Sequence, residues 1–449
     1  MRKYLTSKYL KGDQRTVLLK KNIIGSFIIK GWTCLVQLIL VPVTLDCLNQ
    51  YEYGIWLTIN SLLIWIDSFD IGLGNGLRNK LTESIANNDY DKGRRQISTT
   101  LFMLILIMSL SVVLLLYIVN YLINPYTLLN VNKSLIPNLP LIITTAVCFV
   151  GATFVFKFIG NVYLALQLPA INNLLIAFGQ TIALILIFFC SKNIHTSLLD
   201  IAICYTAAPL FVYLLSYPIT FTRYKLLSPK ISLFDKREIE PLFSLGIKFF
   251  FIQIGGLIIF ASSNILISKI FSPNEVTPYQ IAYRYFGLTN ILFTIISAPL
   301  WSATTDAYMK EDWNWIKDTI RKMRKIMLVI FGMIVLMLLC ANSIYRLWVG
   351  GDIQISFYLS LGMALYMIII VYGTCYSNII CGIGKIRLLT IITILEAIIY
   401  IPLAIIMSNY FNVVGIVYAL IIVNLLSALF NKLQFERIIK KKAKGIWFK

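Results

Sequence analysis

The segment LFMLILIMSLSVVLLLYIV, Leu101–Val119, decides the fold class, because it is an uncharged and almost wholly apolar run. A helix of about 20 apolar residues matches the hydrocarbon thickness of a lipid bilayer. Similar runs recur along the chain of 449 residues, which is 58% hydrophobic and only 13% charged. A soluble protein carries roughly a quarter charged residues. The sequence therefore predicts an all-α integral membrane protein that crosses the bilayer many times.

We predict about twelve transmembrane helices from the spacing of these apolar runs. The spans near 53–70 and 276–304 are the least regular, because they contain Asp67 and Arg284. The predicted spans lie near residues 22–46, 53–70, 98–120, 139–164, 171–191, 198–221, 243–271, 276–304, 325–347, 355–380, 388–408 and 413–433.

The distribution of basic residues predicts the orientation of the chain. The protein has 40 Lys and Arg against 20 Asp and Glu, an excess that could suggest a nucleic-acid partner. Most of these bases, however, fall in alternate loops and at both termini, and the opposite loops hold only Lys133, Lys192, Lys269 and Arg346. This asymmetry is the positive-inside rule. We therefore expect both termini in the cytosol and no nucleic-acid partner.

Two halves of six spans each are predicted from a short repeat. SFIIK, Ser26–Lys30, stands at the start of the first span, and SLGIK, Ser244–Lys248, stands at the start of the seventh. An even number of spans in each half gives parallel repeats. The predicted division is a cytosolic N-terminal segment 1–21, an N-lobe 22–221, a cytosolic linker 222–242, a C-lobe 243–433 and a basic cytosolic tail 434–449.

Four basic residues fall inside predicted spans, where a charge is costly unless it faces a cavity, pairs or snorkels to the interface. Helical spacing places other polar residues beside them. Gln37 and Thr44 share the face of Lys30, Asn161 shares that of Lys157, and Gln280 shares that of Arg284. Two interpretations stay open: a cationic cavity for an anionic headgroup, or lysines that snorkel to the cytosolic side. The four residues are Lys30, Lys157, Lys248 and Arg284.

Few acidic residues lie within or beside the spans. Glu396 lies mid-span and is the best candidate for carrying a coupling proton or binding Na⁺, and an ion pair or a structural hydrogen bond is the alternative. Asp67 and Asp70 are weaker candidates, because capping a helix or pairing with Arg78 or Lys80 is favoured over ion coupling for both. We expect no cofactor beyond such an ion and no metal site. The eight cysteines are scattered, and we interpret them as small apolar fillers.

The glycine-rich segment SFDIGLGNGLRNKL, Ser68–Leu81, resembles a phosphate-binding loop only superficially. A dinucleotide fingerprint needs a preceding strand and a third glycine where Leu77 stands, and a P-loop needs Gly-Lys-Ser/Thr. We expect the glycines instead to end the second span and turn the chain into the cytosol. Arg78 then anchors the loop on the cytosolic side.

The segment YGIWLTINSLLIWIDSFDIGLGNGLRNKLTESIANND, Tyr53–Asp89, resembles the O-antigen (Wzx-type) flippase and polysaccharide biosynthesis proteins. These belong to the multidrug/oligosaccharidyl-lipid/polysaccharide exporter superfamily. The resemblance implies a V-shaped transporter of two six-helix lobes that works by alternating access. It further implies translocation of undecaprenyl-diphosphate-linked oligosaccharide, an O-antigen or capsule repeat unit, from the cytosolic to the periplasmic leaflet of the bacterial inner membrane. Under this resemblance Arg78 has a second role, in guiding the lipid diphosphate at the mouth of the cavity. Other polysaccharide-assembly membrane proteins are the expected partners.

Two other functions stay open. A cation-coupled multidrug antiporter of the same fold should carry acidic residues in its cavity, whereas the candidates here are mainly basic. A membrane glycan polymerase or glycosyltransferase needs catalytic external loops or an acidic metal-binding motif, and the predicted external loops are short and lack an acidic cluster. We therefore expect a transporter and not an enzyme.

Overall fold

The structure is a computed structural model that describes residues 12–66, 73–166, 168–192, 196–309 and 311–448. These residues form α-helices joined by short 3₁₀ or π turns and loops, with no β-strand among them, so the predicted all-α fold is confirmed. The helices are α1 Gly12–Leu45, α2 Gln50–Ile64, α3 Leu73–Ala86, α4 Tyr90–Tyr117, α5 Pro125–Leu129, α6 Leu139–Lys157, α7 Ile159–Ala165, α8 Pro169–Cys190, α9 Leu198–Arg223, α10 Ile239–Ile270, α11 Pro273–Met309, α12 Trp313–Val349, α13 Phe357–Ile383 and α14 Arg387–Ile439.

Helices run along all twelve predicted spans, although residues 67–70 of the second span lie outside the described residues. Eight helical stretches in the described part of the chain are long and apolar enough to cross a membrane. One of these, α14, contains the last two predicted spans, and between them the backbone of Asn412 leaves helical geometry at φ 52° and ψ −141°. The protein is therefore a multi-pass membrane protein.

The chain divides into two compact units. The first unit comprises residues 1–49, 63–125 and 133–250, and the second comprises residues 50–62, 126–132 and 251–449. The predicted lobes were drawn as consecutive spans, and their boundaries stay a prediction.

Backbone and side-chain contacts explain why residues 50–62 pack within the second unit. The Thr277 hydroxyl donates to the Gln50 carbonyl at 2.9 Å, and Gln50 Nε2 donates to the Asn274 carbonyl at 3.0 Å. A Cβ added at Gly54 would overlap the carbonyl group of Pro273. The absence of a side chain at Gly54 therefore lets α2 lie against the start of α11.

The predicted linker, residues 222–242, lies along the first turns of α4 within the first unit. Arg94 Nε donates to the Ser228 carbonyl at 2.6 Å, and Gln96 Nε2 donates to Glu238 Oε2 at 3.1 Å. Within the linker, hydrogen bonds from Arg237 hold the pKa of the Asp235 carboxyl below its usual value. The linker is thus an ordered part of the first unit.

The glycines of the predicted span end adopt another role. Gly74 and Gly76 lie inside α3 with helical backbones, so the prediction that they turn the chain is wrong for both; Gly72 lies outside the described residues. A Cβ at Gly76 would overlap the main chain of Leu242. Gly76 therefore permits close packing of α3 against α10, a long-range requirement that the local sequence does not reveal.

Candidate functional site

Two predicted site residues, Lys30 and Gln37, are exposed on one side of α1. Both lie within the apolar window Phe27–Leu45, and exposed apolar residues such as Leu35 and Ile39 surround them. At 1.5 Å per residue, Gln37 lies about 12 Å from Leu45 along the helix and Lys30 about 22 Å from it. Gln37 is therefore near mid-membrane, and Lys30 is near the inner edge under the predicted orientation.

The polar stripe on α1 does not stay exposed along its whole length. Thr44, which spacing places on the same face, is fully buried, and its hydroxyl lies 2.9 Å from the Tyr205 hydroxyl of α9. The C-terminal end of α1 thus uses the hydroxyl of Thr44 for packing within the first unit. An exposed amide at the depth of Gln37 costs free energy in hydrocarbon unless it meets water or a polar partner. The exposure of both side chains within an apolar window therefore favours a hydrated surface at Lys30 and Gln37.

The structure places the other predicted bases of the first unit on three further helices. Lys157 is half-buried and is the last residue of α6, where the helix breaks before α7. Asn161, which we expected on the face of Lys157, therefore belongs to the next helix. Arg78 is exposed on α3. Lys248 lies in α10, and its side chain falls outside what the structure describes.

Arg284 belongs to the second unit, on α11 and about 17 Å along the helix from Pro273. Its side chain is half-buried. On the predicted span 276–304, Arg284 lies about 12 Å from the first residue of the span, which is inside a hydrocarbon core about 30 Å thick. An arginine at such a depth marks a functional site more often than a lipid-facing one, because the cost of exposing it to lipid is large.

A polar group, the asparagine cluster (Ser61, Asn264 and Gln280), joins three helices. Ser61 and Asn264 are buried, and Gln280 is half-buried and lies four residues before Arg284 on α11. Asn264 Nδ2 donates to Ser61 Oγ at 2.6 Å, and Gln280 Nε2 donates to Asn264 Oδ1 at 2.7 Å. Asn264 Nδ2 also lies 3.3 Å from the Leu57 carbonyl. Buried polar groups need such partners in a low-dielectric interior. The cluster therefore fixes α2, α10 and α11 in one register.

Sequence reasoning found Gln280 but missed Asn264 and Ser61. The available signal was the run Ser262-Ser263-Asn264 within an otherwise apolar span. The neighbouring Ser263 hydroxyl lies 2.6 Å from the Tyr400 hydroxyl, so this run contacts two different parts of the second unit.

Glu396 is buried in α14, with only 4% of its surface exposed. Its Oε1 accepts a hydrogen bond from the Ser427 main-chain N–H at 2.9 Å, across the two halves of α14. Among the described residues, no Lys or Arg forms a salt bridge with it. The sequence left an ion pair or a structural hydrogen bond as the alternatives to ion coupling for Glu396. Among the described residues, the hydrogen bond with Ser427 is present. The other predicted acids, Asp67 and Asp70, lie outside the described residues.

A cavity of about 930 Å³ opens in the second unit, beside the ends of α11, α13 and the two halves of α14. Its lining includes Glu275, Tyr358, Phe411 and Asn412. The predicted cationic residues are not among its lining residues. Across the described residues, no group of three or more His, Cys, Asp or Glu side chains is arranged to hold a metal ion.

Comparison with known sequences gives a consistent result. A family model described as polysaccharide biosynthesis protein matches residues 19–303. A Salmonella typhi protein named as an O-antigen transporter is 21% identical over 86% of this chain and 88% of its own length. A Yersinia pseudotuberculosis protein named as an O-antigen export protein is 22% identical over the same shares of the two chains.

Solved structures show the same fold. A multidrug resistance MATE family transporter of the MOP superfamily, in an inward-facing conformation, superposes with a TM-score of 0.78 over 94% of this chain and 100% of its own. A Vibrio cholerae MATE transporter mutant superposes with a TM-score of 0.66 over 96% of this chain and 100% of its own. The sequence identities are only 14% and 12%, so these structures establish the fold and not the substrate.

Proposed function

This chain belongs to the polysaccharide biosynthesis protein family, and from that premise we propose that it is a flippase for polyprenyl-diphosphate-linked oligosaccharide. It is a membrane transporter and not an enzyme, as its O-antigen transporter relatives and MATE-like fold indicate. The cargo in this proposal is an O-antigen or capsule repeat unit on undecaprenyl diphosphate. The chain moves it from the cytosolic to the periplasmic leaflet of the bacterial inner membrane, with both termini in the cytosol.

The observation that carries this proposal is the exposed pair Lys30 and Gln37 inside an apolar window of α1. A lysine presents a compact positive charge to a phosphate, and an amide offers both a donor and an acceptor to sugar hydroxyls. Arg284 adds a planar guanidinium suited to bidentate contact with a phosphate. These groups suit a charged headgroup with a polar glycan, while the polyprenyl chain stays in lipid.

Transport by alternating access follows from this proposal as its mechanism. The diphosphate first neutralises the basic side chains, which lowers the cost of holding the headgroup at membrane depth. The transporter then closes to the cytosol and opens to the periplasm, which releases the headgroup on the other side. Lys157, Lys248 and Arg78 are the further bases that we propose for this path; Arg78 would act at its cytosolic entrance.

Glu396 is the residue that we propose for ion coupling. A buried carboxylate with one main-chain hydrogen bond and no basic partner within the described residues is costly to hold as an anion. Binding of H⁺ or Na⁺ removes that cost, so occupancy of Glu396 changes the stability of its surroundings. The ion gradient would thereby bias the conformations of the second unit. Asp67 and Asp70 remain weaker candidates for the same role.

The test is a flip assay in proteoliposomes with a fluorescent, short-chain polyprenyl-diphosphate oligosaccharide. Protein-containing vesicles should expose the inner-leaflet lipid to an external quencher faster than protein-free vesicles. Lys30→Ala and Arg284→Ala should lower the rate at least tenfold. Lys192→Ala is the matched control, because this lysine lies beyond the end of α8 with its ammonium 5.0 Å from the ring centroid of Phe188.

Three results would contradict the proposal. Equal quenching with and without protein would exclude flipping of this lipid. Lengthening of the glycan in the vesicles would indicate a polymerase. Export of a cationic dye, with no movement of the diphosphate lipid, would indicate a multidrug antiporter.

A further inference from the structure

Two cysteines lie in contact at the end of α8 and the start of α9, in the first unit. Cys190 is the last residue of α8, Cys204 lies in the second turn of α9, and their Sγ atoms are 3.9 Å apart. Both side chains are half-buried. The sequence interpretation of all eight cysteines as apolar fillers gives no reason for two thiols to meet in this way.

The backbone around the pair is held on both sides. The Thr196 hydroxyl donates to the Cys190 carbonyl at 2.6 Å, and Ser197 forms a capping box with Asp200 at the start of α9. Both contacts keep the end of α8 close to the first turns of α9. The two sulfurs therefore meet because of the local fold, and not through the chance position of one mobile loop.

The geometry suits a covalent bond between the two sulfurs. A disulfide has sulfurs about 2.05 Å apart, so the pair must close by about 2 Å. Rotation of two side chains supplies a movement of that size, and Cys190 has freedom for it because its helix ends there. The nearby Cys47 is engaged differently, since its Sγ lies 3.3 Å from the Val43 carbonyl and 3.7 Å from the Ile187 carbonyl.

The compartment also matters, and here the inference rests on the proposed orientation. With both termini in the cytosol, the connection from α8 to α9 lies on the periplasmic side. Disulfides form and persist in the bacterial periplasm and are rare in the cytosol.

We propose that Cys190 and Cys204 form a disulfide in the mature protein, linking the outer ends of α8 and α9. Each thiol loses its proton, a bond forms between the two Sγ atoms, and two electrons pass to the disulfide of an extracytoplasmic thiol oxidase. That disulfide takes up the two protons and becomes a dithiol, through a transient mixed disulfide. The product is a covalent link across 14 positions of sequence, within the first unit.

The test counts alkylatable thiols in the full-length protein, expressed in a host with an oxidising periplasm and then denatured. Prior reduction should raise the number of tagged cysteines by two. Cys190→Ser and Cys204→Ser should each abolish that rise, and Cys340→Ser, at an exposed position, should leave it unchanged. Cys204→Ser should also lower the thermal midpoint of the unreduced protein to that of the reduced wild type.

A second measurement separates the disulfide from the orientation. Lys133→Cys, at an exposed position, should react with a membrane-impermeant maleimide in cells whose outer membrane is permeabilised and whose inner membrane is intact. Labelling at this position together with no rise in tagged cysteines on reduction would overturn the disulfide but not the orientation. Absence of labelling together with no rise in tagged cysteines on reduction would overturn the orientation and the disulfide with it. If Cys47→Ser also abolished the rise in tagged cysteines, Cys47 would belong to the bonded pair, and the proposed pairing would be wrong.

Discussion

The asparagine cluster provides the sharpest test of the packing in the second unit. Asn264→Ala removes the bonds to Ser61 and Leu57 and leaves Gln280 Nε2 without its acceptor. Hydrogen bonds between membrane helices contribute about 0.6 kcal/mol on average and at most about 1.7 kcal/mol. Two short bonds and one longer one therefore give about 2 kcal/mol for Asn264→Ala. The loss comes from unpaired groups in a low-dielectric site.

A double-mutant cycle isolates the central contact. Combining Asn264→Ala with Gln280→Ala should give a coupling energy of about 1 kcal/mol, because the bond of 2.7 Å is lost only once in the double variant. The assay is equilibrium unfolding in mixed micelles, followed by the fluorescence of the eight tryptophans. Asn60→Ala is the control, since Asn60 is exposed on the same helix as Ser61, and it should change stability by less than about 0.5 kcal/mol.

The reasoning would be refuted by a coupling energy below about 0.3 kcal/mol, which is within the additivity of independent sites. It would also fail if Asn60→Ala were as destabilising as Asn264→Ala. The first result would mean that the two amides do not interact in the membrane. The second would mean that any amide on or near α2 is equally important.

Three further changes test other parts of the structure. Glu396→Gln keeps an oxygen that can accept the Ser427 N–H, so folded yield should persist while the pH or Na⁺ dependence of transport weakens; an unchanged dependence would exclude coupling through Glu396. Gly76→Ala should lower the folded yield, since overpacking costs about 1–3 kcal/mol, whereas the control Gly332→Ala, with no atom within 4 Å of the added Cβ, should not. Trp447→Ala removes a contact of 4.0 Å with the Arg437 guanidinium, worth about 1 kcal/mol, and should make the C-terminal tail more sensitive to protease without slowing transport.

Only part of the candidate site could be predicted from the sequence. The spacing of Lys30 and Gln37 indicated a shared face, and both side chains are exposed. The buried position of Thr44 was not predictable, because it depends on Tyr205, whose hydroxyl lies 2.9 Å away and which stands far along the chain. Glu396 was identified from its mid-span position, but its partner Ser427 could only be found once the two halves of α14 were packed together.

The sequence by itself determined the membrane class and the positions of the helices. In a bilayer every backbone polar group needs an internal partner, so a long apolar run must become a helix, and the length of that run is a local property. The tertiary structure alone decided which distant residues meet: Ser61 with Asn264, Gly76 with Leu242, and Cys190 with Cys204. These pairings depend on how helix surfaces fit at short range, and spacing along one helix does not specify its neighbour.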